Sequence, residues 1–273
     1  MGLPLSRTQI DKLGERLRKS EPARPEDLAL LEQLLRAHAP AMTEVATRLK
    51  GLGLAPTTRL KTRGTLIDKL RRQSTIRLTA VQDIAGARVV CGMTREEQDA
   101  VVARLVDEFS EARVVDRRVS PTFGCRAVHV IPRVDGCNVE IQVRTGLQNG
   151  WAQRMEAIAD RVGRGIRYGE DPDDPYGLWT IDPPVRNAEL VTLARHISEL
   201  IDAHERGTVA ADAVRALLGD VATRAGMRPV RVDDAALIEA QRGALAPLIA
   251  HAEAELQASG DASADGPDRR GNR

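Results

Sequence analysis

Residues 139–145 form a stretch in which apolar and polar side chains alternate without a break. This alternation predicts a β-strand with one face in a core, because successive side chains of a strand point to opposite sides. The other face then carries Glu140, Gln142 and Arg144: an acid, an amide and a guanidinium in a row. Two interpretations fit the stretch alone, an ordinary half-exposed strand or one wall of a functional site.

Composition argues against several classes of function. The chain has 273 residues, enough for one large domain or for a domain with an appendage. Its 40 basic and 39 acidic residues give a formal charge of +1, so no global field attracts nucleic acid or a membrane and any basic site must be local. With only two each of Phe, Trp and Tyr, an extended aromatic platform for single-stranded nucleic acid is not expected.

The cysteines and the hydropathy pattern bear on location. Cys91, Cys125 and Cys137 form no Cys-x-x-Cys pair, which argues against a structural zinc site. Their odd number indicates reduced thiols and a cytoplasmic protein. No apolar run approaches the ~20 residues that a membrane-spanning helix needs, so we expect no membrane segment.

The rest of the pattern predicts helices around a small sheet. Residues 6–50 are helical in spacing, with Pro40 as a predicted break. Asp135-Gly136 is a strong hairpin signal, and the Gly-, Pro- and Asp-rich stretch 163–184 predicts a loop that covers a site. The other predicted elements are strands over 84–91, 112–119 and 126–134, and helices over 94–109, over 147–162 and from 186 onward.

This order of elements predicts an α+β fold with an α/β-type core, in which a mixed sheet of about four to five strands is flanked by helices. We divide the chain into an N-terminal helical segment, residues 1–54, and a core, residues 55–182. A C-terminal helical region follows over 183–258. The polar tail, residues 259–273, is expected to be disordered.

A basic segment precedes two acids, Asp83 at the start of one predicted strand and Glu140 on the polar face of another. Residues 59–72 are rich in Lys and Arg, and Thr65 is predicted to cap a helix on which Lys69 faces the same way. An anion at that helix start would meet free N–H groups and an ammonium together, although a solvated basic helix is the simpler alternative. Asp83 and Glu140 together suit Mg²⁺, which prefers oxygen ligands. These residue types point to phosphoryl or nucleotidyl transfer.

Four motifs occur in order over about residues 55–165. They are Arg59-Leu60-Lys61 with Thr65 and Lys69; residues 83–90; residues 124–129; and residues 140–145 with Asn149, Trp151 and Ala152. Together they resemble the synthetase domain of the RelA/SpoT family, which makes the alarmones (p)ppGpp and has a nucleotidyltransferase-like fold. No His-Asp dipeptide occurs, so the resemblance is to a small synthetase without the family's hydrolase domain.

The resemblance implies a reaction that moves the β,γ-pyrophosphate of ATP to the ribose 3′-hydroxyl of GDP or GTP. Arg59 and Arg88 would stack on the adenine, and Lys61 and Lys69 would hold the ATP phosphates. Asp83 would bind Mg²⁺. Glu140 would share the metal or take the proton of the 3′-hydroxyl, two roles that the sequence does not separate.

On the acceptor side, the resemblance implies that His129 and Gln142 position the nucleotide and that Asn149 reads the guanine edge. Arg144 and Cys125 complete the predicted acceptor site. Cys125 stands where the family has a Tyr that stacks on guanine. Loss of such a stack removes roughly 1–3 kcal/mol, or about tenfold to a hundredfold in affinity.

The sequence does not decide which residue replaces the missing Tyr ring or which substrate accepts the pyrophosphate. Phe123 or Tyr168 is a candidate to replace the missing ring, and Glu156-Ala157 departs from the Glu-His of many relatives. One alternative is a toxic family member that pyrophosphorylates adenosine nucleotides or the 3′ end of tRNA, with residues 161–167 as a local basic patch. Another is a catalytically silent regulatory module, which would be expected to lose its acids first. A homo-oligomer and an antitoxin are the predicted protein partners.

Overall fold

The computed structural model of the chain describes residues 3–92, 94–179 and 185–207. The predicted helices beyond residue 207 and the predicted disordered tail lie outside this range. No helix in the described ranges is both long enough and apolar enough to cross a membrane. The helices are α1 (Arg7–Lys19), α2 (Pro25–Gly51), α3 (Arg63–Arg72), α4 (Arg95–Glu108), α5 (Gly146–Val162) and α6 (Asn187–Glu205), with short 3-10 helices at Leu78–Ala80 and Arg164–Tyr168.

A mixed six-stranded sheet forms the centre of the fold, which confirms the predicted α+β class and adds one strand to the predicted number. The strand order is β1-β2-β6-β4-β3, and β5 pairs with one end of β6. Strands β2 and β6 are parallel, and the other pairs are antiparallel. The strands are β1 (Thr57–Leu60), β2 (Ala85–Cys91), β3 (Arg113–Asp116), β4 (Val128–Ile131), β5 (Arg133–Val134), β6 (Cys137–Thr145), and a separate pair, β7 (Leu178–Trp179) and β8 (Val185–Arg186).

Strand β6 divides the sheet into an apolar and a polar face, as its alternation predicts. Val139, Ile141 and Val143 are fully buried, in one cluster with apolar residues of β2, α2 and α4. Intervening Glu140 and Gln142 lie on the opposite face and are half-buried. The apolar face therefore supplies the core, and the polar face remains available for chemistry.

Strand register assembles the polar face from four strands. Gly86 of β2 pairs with Glu140 of β6 and also with Arg59 of β1. Gln142 of β6 lies between Arg88 of β2 and His129 of β4. Paired residues of neighbouring strands point to the same face, so side chains distant in sequence become neighbours.

Two local predictions about helices are wrong. Helix α2 continues through Pro40, although an internal proline removes one helical hydrogen bond. Buried Leu34, Val45 and Leu49 on both sides of Pro40 pack against other elements, and this packing outweighs the local cost. Helix α3 is capped by Thr62, whose Oγ1 accepts the N–H of Thr65 at 3.3 Å, so Thr65 is the capped residue and not the cap.

A second apolar cluster joins α5 to α6 at one end of the sheet. Trp151, Met155 and Ile158 of α5 pack in one cluster with Leu190 and Ile197 of α6. The Trp151 indole donates to the Ala194 carbonyl at 2.5 Å. Helix α6 is therefore part of the same folded unit as the sheet.

The central position of Ile141 gives a direct test of this core. We expect Ile141→Ala to lower the free energy of unfolding by about 2–5 kcal/mol, because a fully buried side chain would be replaced by a cavity. Val119→Ala is the control, since Val119 is 81% exposed and its truncation should change stability by less than about 0.5 kcal/mol. Chemical denaturation of both variants measures the difference. Equal stability losses would contradict this assignment of the core.

Candidate active site

An open cleft of ≈ 550 Å³ lies over the polar face of the sheet. Helix α3, the 3-10 helix Arg164–Tyr168 and Glu156 of α5 supply its other lining. Among the described residues that line it, eight are cationic and four are acidic. The cations are Arg59, Lys61, Lys69, Arg72, Arg88, Arg144, Arg164 and Arg167, and the acids are Asp68, Asp83, Glu140 and Glu156. This excess of positive charge suits a ligand with several negative charges.

Asp83 joins two of these cations. It precedes β2 and accepts from Lys61 Nζ at 2.6 Å and from Lys69 Nζ at 2.8 Å. Burial raises the pKa of Asp83, but the charges and hydrogen bonds of the two lysines outweigh it, and the pKa lies below its ordinary value. Asp83 is therefore a carboxylate at neutral pH and holds both ammonium groups at the edge of the cleft.

Glu140 is held by two neighbours on the same face. Its Oε1 lies 3.1 Å from His129 Nδ1, and its Oε2 accepts from Gln142 Nε2 at 2.8 Å. Burial and the charge of Asp83 raise the pKa of Glu140, but the contacts with His129 and Gln142 prevail and the pKa is lowered. Asp83 and Glu140 line the same cleft. Glu140 is thus a second fixed anion in a cationic cleft.

Two arginines of the cleft have buried nitrogen atoms without hydrogen-bond partners. These atoms are Nε of Arg88 and both Nε and Nη1 of Arg144. Burial, followed by the charge of Arg144, lowers the pKa of Arg88. A buried cation without a full set of partners is unfavourable, and an anionic ligand would relieve that cost.

Most of the predicted site residues come together in the cleft. Six of the predicted donor and catalytic residues and two of the predicted acceptor residues line it: Arg59, Lys61, Lys69, Asp83, Arg88, Glu140, Gln142 and Arg144. They reach it from β1, β2, β6 and α3, and from the segments that join β1 to α3 and α3 to β2. Their individual roles remain predictions.

The other three predicted acceptor residues are not among the lining residues. His129 contacts Glu140 from the neighbouring strand β4. Cys125 packs beside the α5–α6 cluster, and its Sγ is 3.6 Å from Arg144 Nη2. Asn149 has a buried Oδ1 without a hydrogen-bond partner. Cys125 and His129 therefore contact residues of the cleft without lining it themselves.

Tyr168 and Arg72 add an aromatic element to the cleft. Arg72 Cζ lies 3.4 Å above the centre of the Tyr168 ring, and Tyr168 is 37% exposed. Tyr168 is one of two residues predicted to replace the aromatic ring that is absent at Cys125, and Tyr168 lines the cleft. Phe123, the other candidate, is not among the lining residues, and its ring packs over Gly169. Arg72 was missed, although its spacing from Thr65 and Lys69 places all three on one helix face.

The ion pairs of Asp83 predict a pH-dependent stability. We expect Asp83→Asn to lower the free energy of unfolding at pH 7 by about 1–3 kcal/mol, because two ammonium groups lose a charged partner. The folded-state pKa is lowered, so this contribution is present above the unfolded aspartate pKa of about 3.9 and is lost as the pH falls through the folded value. Denaturation at pH 7 and pH 3 measures both effects.

The control for this prediction is Asp68→Asn, since Asp68 lines the same cleft but is exposed. A loss independent of pH, or shared by the control, would contradict the assignment.

Comparison with known proteins agrees with the sequence motifs. The family model described as the region found in RelA / SpoT proteins matches residues 58–160, a segment that contains Asp83 and Glu140. Two mycobacterial proteins, the uncharacterized protein Rv1366 of Mycobacterium tuberculosis and the uncharacterized protein Mb1401 of Mycobacterium bovis, are each 35% identical to the chain over 209 residues. The match covers 74% of this chain and 75% of each relative.

A solved structure also matches. The small alarmone synthetase 1 from Bacillus subtilis is 21% identical, with a TM-score of 0.46, and the match covers 70% of this chain and 98% of that chain. The family model and the mycobacterial matches are sufficient to assign the family, because the mycobacterial matches cover 74% of this chain and 75% of each relative. The chain belongs to the RelA/SpoT family.

Proposed function

We propose that the protein is a (p)ppGpp synthetase that transfers the β,γ-pyrophosphate of ATP to the ribose 3′-hydroxyl of GDP or GTP. The observation that carries this proposal is the pair of ionised carboxylates, Asp83 and Glu140, in a cleft with an excess of cations. Family membership supports a pyrophosphokinase-type enzyme. Because ATP is the proposed donor, we expect the protein to act in the cytoplasm.

The donor end of the cleft suits ATP. Lys61 and Lys69 place two ammonium groups at its edge, and both can move from Asp83 to phosphate oxygens through short rotations of their flexible stems. Arg59 and Arg88 project from the paired strands β1 and β2 on the same face. Their planar guanidinium groups are suited to stack on an adenine.

The residues of the cleft fit Mg²⁺. Asp83 and Glu140 offer hard oxygen ligands, and no cluster of three or more His, Cys, Asp or Glu side chains suited to a metal occurs in the described part of the chain. Proteins usually bind Mg²⁺ through one or two carboxylates, and water and phosphate oxygens complete its coordination shell. When bound, Mg²⁺ would neutralise charge on the transferring phosphates.

Glu140 and Gln142 would act on the acceptor. The 3′-oxygen attacks the β-phosphorus of ATP, the bond from that phosphorus to the α,β-bridging oxygen breaks, and AMP leaves. The hydroxyl proton can pass to the Glu140 carboxylate, which the contacts with His129 and Gln142 hold in place. Because the pKa of Glu140 is lowered, it is a weak base, and alignment and charge neutralisation should supply most of the rate.

A second candidate differs only in the acceptor. Cys125 occupies the position of the family's guanine-stacking Tyr and is not among the lining residues of the cleft. This observation favours an acceptor that does not depend on that stack, such as an adenosine nucleotide or the 3′ end of a tRNA. Arg164 and Arg167 line the cleft and would contact additional phosphates of such a substrate. A homo-oligomer and an antitoxin partner stay predictions. The silent module is less well supported, because both acids are present and ionised.

Product analysis tests the proposal. The purified protein is incubated with Mg²⁺, ATP labelled at the γ-phosphate and, in parallel, GDP, GTP, ADP, AMP and bulk tRNA. We expect label on GDP or GTP, and we expect Glu140→Gln to reduce the rate by about 10²–10⁴-fold. Glu111→Gln, at an exposed position outside the cleft, should leave the rate unchanged.

Other outcomes decide between the alternatives. Label on adenosine nucleotides or tRNA would establish the second candidate in place of the first. Absence of transfer to every acceptor would contradict both candidates and support the silent module.

A further inference from the structure

Helix α6 lies outside the segment that the family model matches, yet it contacts the loop from Gly124 to Arg126, which contains the predicted acceptor residue Cys125. Ser198 of α6 is 2% exposed, and its hydroxyl donates to the Gly124 carbonyl at 2.5 Å. Arg126 Nε donates to the Ser198 carbonyl at 2.9 Å and to its hydroxyl at 3.0 Å. One side chain of α6 therefore contacts the residues on both sides of Cys125.

The backbone of this loop needs such support. Phe123 and Gly124 both have positive φ angles, 50° and 87°, and a non-glycine residue in this region is unfavourable. Gly124 also lies against the Trp151 ring, where an added Cβ would be 2.8 Å from Cζ2. The loop is thus held in an uncommon conformation between α5 and α6.

The loop connects α6 to the cleft. Cys125 follows Gly124, and its Sγ is 3.6 Å from Nη2 of Arg144. Arg144 lines the cleft and is 5% exposed, and its other two guanidinium nitrogens have no hydrogen-bond partner. A continuous series of contacts therefore runs from the Ser198 hydroxyl through Cys125 to a cationic side chain that lines the cleft.

We propose that Ser198 is a positioning residue for the acceptor end of the cleft: its hydroxyl fixes the loop from Gly124 to Arg126 and, through Cys125, the Arg144 guanidinium. The assignment of this end to the acceptor rests on the proposed function. Ser198 does not touch the ligand in this account, so its removal changes acceptor binding and leaves the donor end intact.

Cys125 provides a readout that does not depend on catalysis. We expect Ser198→Ala to accelerate iodoacetamide alkylation of Cys125 by about fivefold to tenfold, because the loop loses the hydrogen bonds to the hydroxyl. The rates are measured on separated peptides by mass spectrometry. Buried Cys137 in the same sample should react at its wild-type rate, which controls for global unfolding. Ser198→Thr keeps a hydroxyl and should restore slow alkylation. Thr192→Ala, at an exposed position of α6, should have no effect.

Steady-state kinetics supplies the functional readout. We expect Ser198→Ala to raise the KM for the acceptor by about fivefold to tenfold and to leave the KM for ATP unchanged. Equal alkylation of Cys125 in the wild type and Ser198→Ala would overturn the proposal, as would an equal rise of both KM values. If the wild type transfers pyrophosphate to none of the acceptors, the proposed function is wrong, and the alkylation rates alone decide whether Ser198 holds the loop.

Discussion

The two environments of strand β6 determine how the whole molecule is arranged. Apolar side chains of β6 pack under the sheet against α2 and α4, and the side chains between them face the cleft. Because the period of a strand is two, a shift by one residue would bury Glu140 and expose Ile141. The hydrophobic core therefore fixes the register, and the register fixes which residues of β2 and β4 lie next to β6 on the polar face, with β1 next to β2. The packing of β6 therefore determines both the hydrophobic core and the set of side chains on the polar face.

The cationic side chains of the cleft are only partly neutralised by its acidic side chains. Asp83 neutralises part of the positive charge by binding Lys61 and Lys69, but the buried nitrogens of Arg88 and Arg144 are left without hydrogen-bond partners. A folded protein tolerates such unsatisfied cations only where the rest of the structure supports them. A polyphosphate would add the missing negative charge and release Asp83 from its two lysines. Under the proposed function, the electrostatic cost in the free protein would become a source of nucleotide affinity.

The sequence predicts this structure well where one pattern dominates locally. The alternation of β6 is confirmed, and Asp135-Gly136 forms a turn in which both residues have positive φ, as hairpin chemistry requires. Strand β1 was not predicted, because four residues in a basic segment carry too little periodicity to be distinguished from a surface helix. Pro40 and Tyr168 show where prediction from the sequence fails. The packing that keeps α2 continuous and the stacking of Arg72 on Tyr168 depend on tertiary contacts that no local pattern contains.

A structure with a non-hydrolysable ATP analogue and Mg²⁺ tests the central claim most directly, that the polar face of the sheet is the nucleotide site. We expect the triphosphate in the cleft, with the Nζ atoms of Lys61 and Lys69 on phosphate oxygens and at least one oxygen of Asp83 released from its lysine. An analogue bound elsewhere, or an Asp83 that still bridges both lysines with the triphosphate in place, would contradict it.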